Sequence, residues 1–173
     1  MPRRISIVAV LVVAMLRTRE ALAQTTTSDD HAPNGTLIGM TIGVPGYGRQ
    51  TEPDLLVVGL NVLHAQPSRL GIDFALGTIP KLLSADALVL GGRLDAVLPI
   101  AVTRDLWLMP AAGGSMIGAA AGGGGTAIGG VNAGLGAIAW SGHFGLRTSM
   151  TWHHFTDARG AIWLAEVGFV GGR

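Results

Sequence analysis

Apolar and polar side chains alternate with a period of two along most of this chain. In HFGLRTSMTWHHF (residues 143–155), every second position is mainly apolar, and the positions between carry Arg147, Ser149 and Thr151. A period of two places two such sets on opposite faces of a β-strand. The pattern predicts eight strands, of which the fifth and sixth are apolar or Gly on both faces. The predicted strands cover residues 35–44, 55–64, 70–79, 87–100, 106–119, 126–139, 143–155 and 161–170.

The polar face of these strands is sparsely charged, with about one charged side chain per strand. A soluble barrel would turn its large apolar face inward and cover its outside with roughly 25 to 35% charged residues. The scarcity of charge therefore predicts that the apolar face contacts lipid and that the polar face lines a narrow lumen. The predicted lumen residues are Asn61, Asp73, Arg93, Asp95, Arg147, His153 and Glu166.

The predicted links between strands alternate in length. Longer links are residues 45–54, 79–86, 120–125 and 156–160; shorter turns are residues 65–69, 101–105 and 141–142. Outer-membrane barrels have long links on the outside and short turns in the periplasm. The sequence thus predicts an all-β fold, an eight-stranded antiparallel up-and-down membrane β-barrel over residues 35–173.

The first segment has the three parts of a secretory signal peptide. Arg3 and Arg4 precede an apolar run at residues 5–16, and Ala21-Leu22-Ala23 forms a small-residue cleavage site. We expect a signal peptide at residues 1–23 and a flexible polar leader at 24–34. A retained anchor is the alternative, although a spanning helix needs about 20 apolar residues.

Composition narrows the partners and the compartment. The chain has 173 residues, 49% hydrophobic and 13% charged, with no Cys. Without residues 1–23 it carries 8 basic residues (12 minus 4) and 10 acidic residues (11 minus 1). A net charge of −2 offers no basic field for a nucleic acid, and the lack of Cys excludes disulfides and a lipidated Cys. We therefore predict the outer membrane of a bacterial cell envelope, with no cofactor and no metal site.

Residues 118–137, GAAAGGGGTAIGGVNAGLGA, leave a helical alternative open. Gly118, Gly122, Gly130 and Gly134 recur at multiples of four, as in close-packed membrane helices. Against a helical hairpin, residues 106–140 contain 11 Gly, each costing about 0.8 to 1 kcal/mol relative to Ala in a helix. Glycine also suits the crowded inner wall of a small barrel, and the barrel is the favoured interpretation.

Four tryptophans and the lumen charges complete the predicted barrel. The Trp residues lie at predicted strand ends, two at each membrane interface, where aromatic rings are favoured; core Trp is the alternative. They are Trp107, Trp140, Trp152 and Trp163. Buried charges need partners, so we expect Arg147 to pair with Glu166 if the register of their neighbouring strands brings them together, and Arg93 to pair with Asp95 or Asp73. In eight strands such pairs fill the interior rather than leave a pore.

One segment, WHHFTDA (residues 152–158), has a catalytic pattern. His154, Thr156 and Glu166 resemble the His, Ser and Glu of the outer-membrane lipid A deacylase family. A hydroxyl nucleophile needs a base, and the base needs an orienting carboxylate. The chain departs from that family because Thr replaces Ser and Asp157 stands where the family has Asn.

The architecture as a whole resembles the small OmpA/OmpX-like outer-membrane β-barrels over residues 35–173. The resemblance is carried by TLIGMTIGV, ALVLGGRLDAVLPI, HFGLRTSMTWHHF and AIWLAEVGFV. It implies contact with outer-membrane lipids and lipopolysaccharide, and assembly by the outer-membrane insertion machinery, which favours a terminal aromatic residue. Here the last aromatic, Phe169, precedes four further residues. The leading prediction is a non-enzymatic structural or surface-interaction protein; a lipid A acyl-hydrolase and a glycine-zipper helical protein are the alternatives.

Overall fold

The computed structural model describes residues 35–83, 87–156 and 160–172, and these residues form β-strands almost throughout. The predicted signal peptide and leader lie outside the described residues. In chain order the elements are β1 (Gly35–Tyr47), β2 (Gln50–Thr51), β3 (Val57–Ala65), β4 (Gly71–Thr78), α1 (Pro80–Leu83), β5 (Ala87–Val97), β6 (Ile100–Thr103), β7 (Leu106–Ala121), β8 (Gly124–Ser141), β9 (Phe144–Phe155) and β10 (Ala161–Gly172). No helix among the described residues is long and apolar enough to cross a membrane.

Eight of these strands form a closed antiparallel barrel. Each pairs with its neighbours in the order β1, β3, β4, β5, β7, β8, β9 and β10, and β10 returns to pair with β1. The two remaining strands are short: β2 folds back on the end of β1, and β6 pairs with the start of β7. The predicted fold class is confirmed. Closure satisfies the backbone hydrogen bonds of both edges, as a spanning sheet requires.

The glycine-rich segment is part of the wall, so the helical alternative is wrong. Residues 106–140 form β7 and most of β8, paired from Leu106 opposite Ala139 to Ala121 opposite Gly124. The predicted loop at residues 120–125 is also wrong, because only Gly122 and Gly123 lie between the strands. Their φ angles are +58° and +85°. Two successive positive φ values are those of a type I′ hairpin turn, which Gly adopts without strain.

The two faces of the wall differ as the alternation predicts. The outer face carries exposed apolar side chains on nearly every barrel strand, among them Ile38, Leu60, Phe74, Leu94 and Phe169. Among the described strands, all five Asp, Glu and Arg side chains point inward and are buried: Asp73, Arg93, Asp95, Arg147 and Glu166. An apolar outside and a polar inside are the arrangement of a membrane barrel.

Inward-facing glycines make room for these larger side chains. A Cβ on Gly113 would clash with the Leu94 backbone carbonyl and lie 2.6 Å from Oδ1 of Asp95. A Cβ on Gly145 would lie 2.5 Å from Cγ2 of Ile138 and 3.0 Å from Cε3 of Trp140. These distances are shorter than ordinary carbon contacts of about 3.5 to 4.0 Å. The glycines of β7 and β9 therefore allow the charged and aromatic side chains to fit inside an eight-stranded wall.

Candidate functional site: the barrel lumen

The lumen contains three zones along the barrel axis. At the end where β1 begins and β10 ends, apolar side chains pack around Trp107 and Trp140; we call this zone the Trp plug. The middle holds the five charged side chains, Asp73, Arg93, Asp95, Arg147 and Glu166, which we call the charge network. The opposite end contains a cavity of about 140 Å³ lined mainly by apolar residues, which we call the outer cavity.

One ion pair of the charge network crosses the lumen between β4 and β9. The Arg147 guanidinium donates to both carboxylate oxygens of Asp73, with an Nη1 to Oδ1 distance of 3.1 Å. Strands β4 and β9 are four places apart in a ring of eight, so the pair joins opposite sides of the barrel. Such a bidentate contact fixes geometry as well as charge.

A second ion pair crosses between β5 and β10, which are also opposite one another. Nη1 of Arg93 lies 2.8 Å from Oε2 of Glu166. Arg93 also approaches Oδ2 of Asp73 at 3.6 Å and Oδ2 of Asp95 at 3.3 Å. Arg93 therefore contacts all three carboxylates and joins the two crossing pairs into one network.

Hydroxyl and amide groups hydrogen-bond several of the remaining oxygens and nitrogens of the network, whereas Nε of Arg93, Oδ1 of Asp95 and Nε of Arg147 have no hydrogen-bond partner among the described residues. Thr41 and Ser149 donate to Glu166 at 3.0 and 3.1 Å, and Arg93 donates to Thr151 at 3.1 Å. The Asn61 amide is oriented by its hydrogen bonds, its nitrogen donating to the Gly39 carbonyl and its oxygen accepting from Arg147 at 2.8 Å. Buried charge is tolerated when it is paired and hydrogen-bonded in this way.

Two of the predicted ion-pair contacts form and one does not. Arg93 contacts both Asp95 and Asp73, as the sequence indicates. The expected contact between Arg147 and Glu166 is wrong: the register sets Glu166 opposite Ser149, and Arg147 opposite Gly168. Arg147 therefore reaches across the lumen instead of along the wall. His153 is also buried on the inner face, stacked on Phe155 with ring centroids 5.9 Å apart.

Two of the four tryptophans predicted at the membrane interfaces lie in the Trp plug instead. Trp107 and Trp140 are 1% and 5% exposed, and their rings meet edge to face with centroids 5.1 Å apart. Placing them at a membrane interface was wrong, because both side chains point into the lumen. Trp152 points outward and is 46% exposed. Its cross-strand neighbour Trp163 donates its indole N–H to the Gly48 carbonyl at 3.1 Å.

The residues with the catalytic pattern do not come together. His154 is exposed on the outer face, whereas Glu166 is buried in the lumen. Thr156 Oγ1 instead donates to the Gly129 carbonyl at 3.1 Å. The wall of the barrel separates the base from its proposed orienting carboxylate, so these residues form no triad. Among the described residues, no group of three or more His, Asp or Glu has the arrangement of a metal site.

Two lumen residues, Ser115 and Asn132, were missed in the sequence, whereas Thr41 and Thr151 lie on the polar face that the alternation predicts. Thr41 and Thr151 hydrogen-bond the charge network, and Ser115 and Asn132 are buried on the inner face of β7 and β8. For Thr41 and Thr151 a signal exists, since Thr41 lies between the apolar Met40 and Ile42, and Thr151 is in phase with Arg147 on its strand. For Ser115 and Asn132 the signal is weak, because both faces of β7 and β8 are rich in Gly and apolar residues.

Solved outer-membrane barrels share this architecture. The structures similar to this chain include the N-terminal β-barrel domain of OprF from Pseudomonas aeruginosa, with a TM-score of 0.59 and 13% identity over 80% of this chain and 97% of that chain. OprG from Pseudomonas aeruginosa has a TM-score of 0.57 and 10% identity over 83% and 98%. Ail of Yersinia pestis, the attachment invasion locus protein, has a TM-score of 0.54 and 13% identity over 80% and 99%. No protein-family model and no curated protein matches the chain.

Proposed function

From a fold shared with small outer-membrane barrels, we propose that this chain is a non-enzymatic protein of a bacterial outer membrane that spans the bilayer without conducting. The apolar outer face supports the location, because a charged side chain facing lipid at mid-depth costs about 2 to 4 kcal/mol and no described strand carries one there. Its direct partners are then outer-membrane lipids and lipopolysaccharide, and its assembly depends on the outer-membrane insertion machinery.

Two ion pairs that cross the lumen are the main support for a non-conducting barrel. Arg147 with Asp73, and Arg93 with Glu166, link opposite strands in the middle of the barrel. Trp107 and Trp140 fill the end of the barrel where β1 begins and β10 ends. An eight-stranded barrel leaves an interior that side chains can fill. The lumen is therefore closed twice along its axis.

Electrical recording tests the closed lumen. The refolded protein, inserted into a planar lipid bilayer, is expected to give no discrete conductance steps, while a refolded general porin in the same chamber gives them. Insertion is confirmed by protease protection in vesicles of the same lipid. Regular single-channel steps from the wild-type protein would contradict the proposal.

The hairpin of β1 and β2 is the surface we propose to be displayed outside the cell. Tyr47 pairs with Gln50 around Gly48, whose φ is +58°, and Trp163 holds the Gly48 carbonyl. This hairpin lies at the barrel end opposite the start of β1 and the end of β10. It therefore offers a shaped, ordered projection for contacts with other molecules at the cell surface.

Epitope insertion tests both the location and the orientation. A short epitope inserted between Gly48 and Arg49 is expected to bind antibody on intact cells. The matched control carries the same epitope between Gly142 and His143, in a turn at the other end of the barrel, and is expected to bind antibody only after permeabilisation. Staining of neither variant, or of both, on intact cells would refute the proposed orientation.

A further inference from the structure

The outer cavity is unusual for the lumen of a membrane barrel because its walls are apolar. Lumen surfaces of such barrels are typically polar. Here the inward positions at this end carry Val57, Ile79, Val89, Ile117, Ile162 and Leu164. All six are only partly buried, and no side chain of residues 35–83, 87–156 or 160–172 fills the space between them. Apolar surface left facing an open space of this kind favours an apolar occupant.

The floor of the cavity supplies hydrogen-bonding groups that the protein leaves unused. Ser115 and His153 line the cavity and are each 8% exposed. Within the described part of the chain, Oγ of Ser115 and Nδ1 of His153 have no hydrogen-bond partner. Buried polar atoms almost always have one, and these two, on residues that line an apolar cavity, are available to a polar group of a bound molecule.

The charge network sets the charge of that molecule. Arg93 and Glu166 line the cavity at the same end as Ser115 and His153. The network contains two Arg against three carboxylates, Asp73, Asp95 and Glu166, a sum of −1 when all are ionised. A further anion would meet net repulsion in a region of low dielectric. A cation would leave its hydration shell for apolar walls. An uncharged hydrogen-bonding group meets neither penalty.

We propose that the outer cavity binds a small uncharged amphiphile, an alcohol or similar molecule with a single hydrogen-bonding group and an apolar body of about six carbons. Its polar group contacts Ser115 and His153, and its body lies between Val89, Ile117 and Ile162. The size follows from the volume, since an apolar cavity of about 150 Å³ engineered in another protein holds benzene, and this one measures about 140 Å³. Binding in this cavity does not depend on whether the barrel conducts ions.

Gly91 offers a way to fill the cavity without distorting the wall. It lines the cavity on β5, and a Cβ there would approach nothing closer than the Gly77 carbonyl at 4.0 Å. The matched control is Gly114 on β7, which is exposed on the outer face, where a Cβ would lie 3.8 Å from the Gly130 carbonyl. Gly91→Leu and Gly114→Leu thus add the same side chain inside and outside the barrel.

The experiment is a titration of the methyl-labelled protein, folded in deuterated detergent, with 1-hexanol, hexanoate and hexylammonium, followed by NMR. For 1-hexanol we expect saturable shifts of the Val89, Ile117 and Ile162 methyls, with direct cross-relaxation from ligand protons to them. Gly91→Leu is expected to weaken this binding at least tenfold, and Gly114→Leu to leave it unchanged. Hexanoate is expected to bind at least tenfold more weakly than 1-hexanol, and hexylammonium also more weakly.

A second variant tests the polar contact separately. Ser115→Ala is expected to weaken 1-hexanol binding several-fold while leaving the binding of 1-chlorohexane, which lacks a hydroxyl, nearly unchanged. Non-saturable shifts, equal binding to Gly91→Leu, or tighter binding of hexanoate or hexylammonium would each overturn the proposal. Because the dispersion of the NMR spectrum reports folding directly, failure to bind is distinguishable from failure of the barrel to form.

Discussion

Arg147 and Asp73 face each other across the barrel axis and join β9 to β4 through two hydrogen bonds. Asp73 is also 3.6 Å from Arg93, whose own partner Glu166 lies on β10. The network therefore connects β4 with β9 and β5 with β10 through the interior. Each of these two pairs consists of strands on opposite sides of the barrel, which the network joins in addition to the hydrogen bonds within the wall.

The ion pair between Arg147 and Asp73 gives a first prediction, about the stability of single and double variants. Arg147→Met is expected to lower the free energy of unfolding by about 3 to 5 kcal/mol, because it leaves the buried carboxylate of Asp73 with a weaker partner. The double variant Arg147→Met with Asp73→Leu is expected to regain most of that loss, since an apolar pair leaves no buried charge unpaired. Equilibrium unfolding in urea, read from gel mobility in lipid vesicles, measures both values. Additive losses in the double variant would contradict the paired arrangement.

Adjacent glycines on β7 give a second prediction. A Cβ on Gly113 would lie 2.6 Å from Oδ1 of Asp95, so Gly113→Ala is expected to destabilise the barrel by about 1 to 3 kcal/mol, as overpacking does. Gly114 faces outward, and a Cβ there would lie 3.8 Å from the Gly130 carbonyl oxygen. Gly114→Ala is therefore expected to change stability by less than about 0.5 kcal/mol. The same unfolding measurement compares them. Equal effects would mean that the inner face of β7 is not crowded.

These two positions also show what the sequence could and could not predict. The period of two identifies the outer apolar face and the inner charges on β4, β5, β9 and β10, because each strand contains its own contrast. On β7 and β8 that contrast disappears, and the inward direction of Trp107 and Trp140 was missed for this reason. A signal was present, since Trp107 is in phase with Ser115 and Trp140 with Asn132.

The partners of the charged residues were harder to predict than their location. Contacts along the wall follow from strand order and register, but Arg147 and Arg93 reach strands four places away. Which side chains meet across a lumen depends on strand tilt and stagger, and the linear pattern does not encode either. The outer cavity was also missed, because the lumen was expected to be polar. The walls of the cavity are instead formed by apolar side chains at inward positions.

The outer face gives a third prediction, about depth in the membrane. Leu94 lies on the outer face of β5 opposite Phe74 and Gly114, about half-way along the wall. Leu94→Arg is expected to cost about 2 to 4 kcal/mol in vesicles, whereas Leu70→Arg, beside the turn that precedes β4, costs about 0 to 1 kcal/mol. Folding equilibria in phospholipid vesicles measure the difference. A larger cost at Leu70 than at Leu94 would place the hydrocarbon band elsewhere.

The Trp163 side chain gives a fourth prediction, about the order of the displayed hairpin. Trp163→Phe removes the N–H that donates to the Gly48 carbonyl at 3.1 Å, and about 0.5 to 1.5 kcal/mol of stabilisation of this hairpin is expected to be lost. Faster hydrogen exchange at the Tyr47 and Gln50 amides measures that loss. Trp152→Phe, which changes the neighbouring ring on β9, serves as the control. Unchanged exchange in Trp163→Phe would show that the hairpin does not depend on this bond.

The central claim is that lipid surrounds the apolar outer face and does not enter the lumen. Fluorescence quenching by brominated acyl chains tests it most directly. Two single-Trp proteins retain either Trp152 or Trp107, with the other three Trp residues changed to Phe and folding checked by heat-modifiable gel mobility. We predict strong quenching of Trp152, which is 46% exposed on the outer face, and little quenching of Trp107, which is 1% exposed inside the barrel. Equal quenching of the two, or stronger quenching of Trp107, would contradict the account.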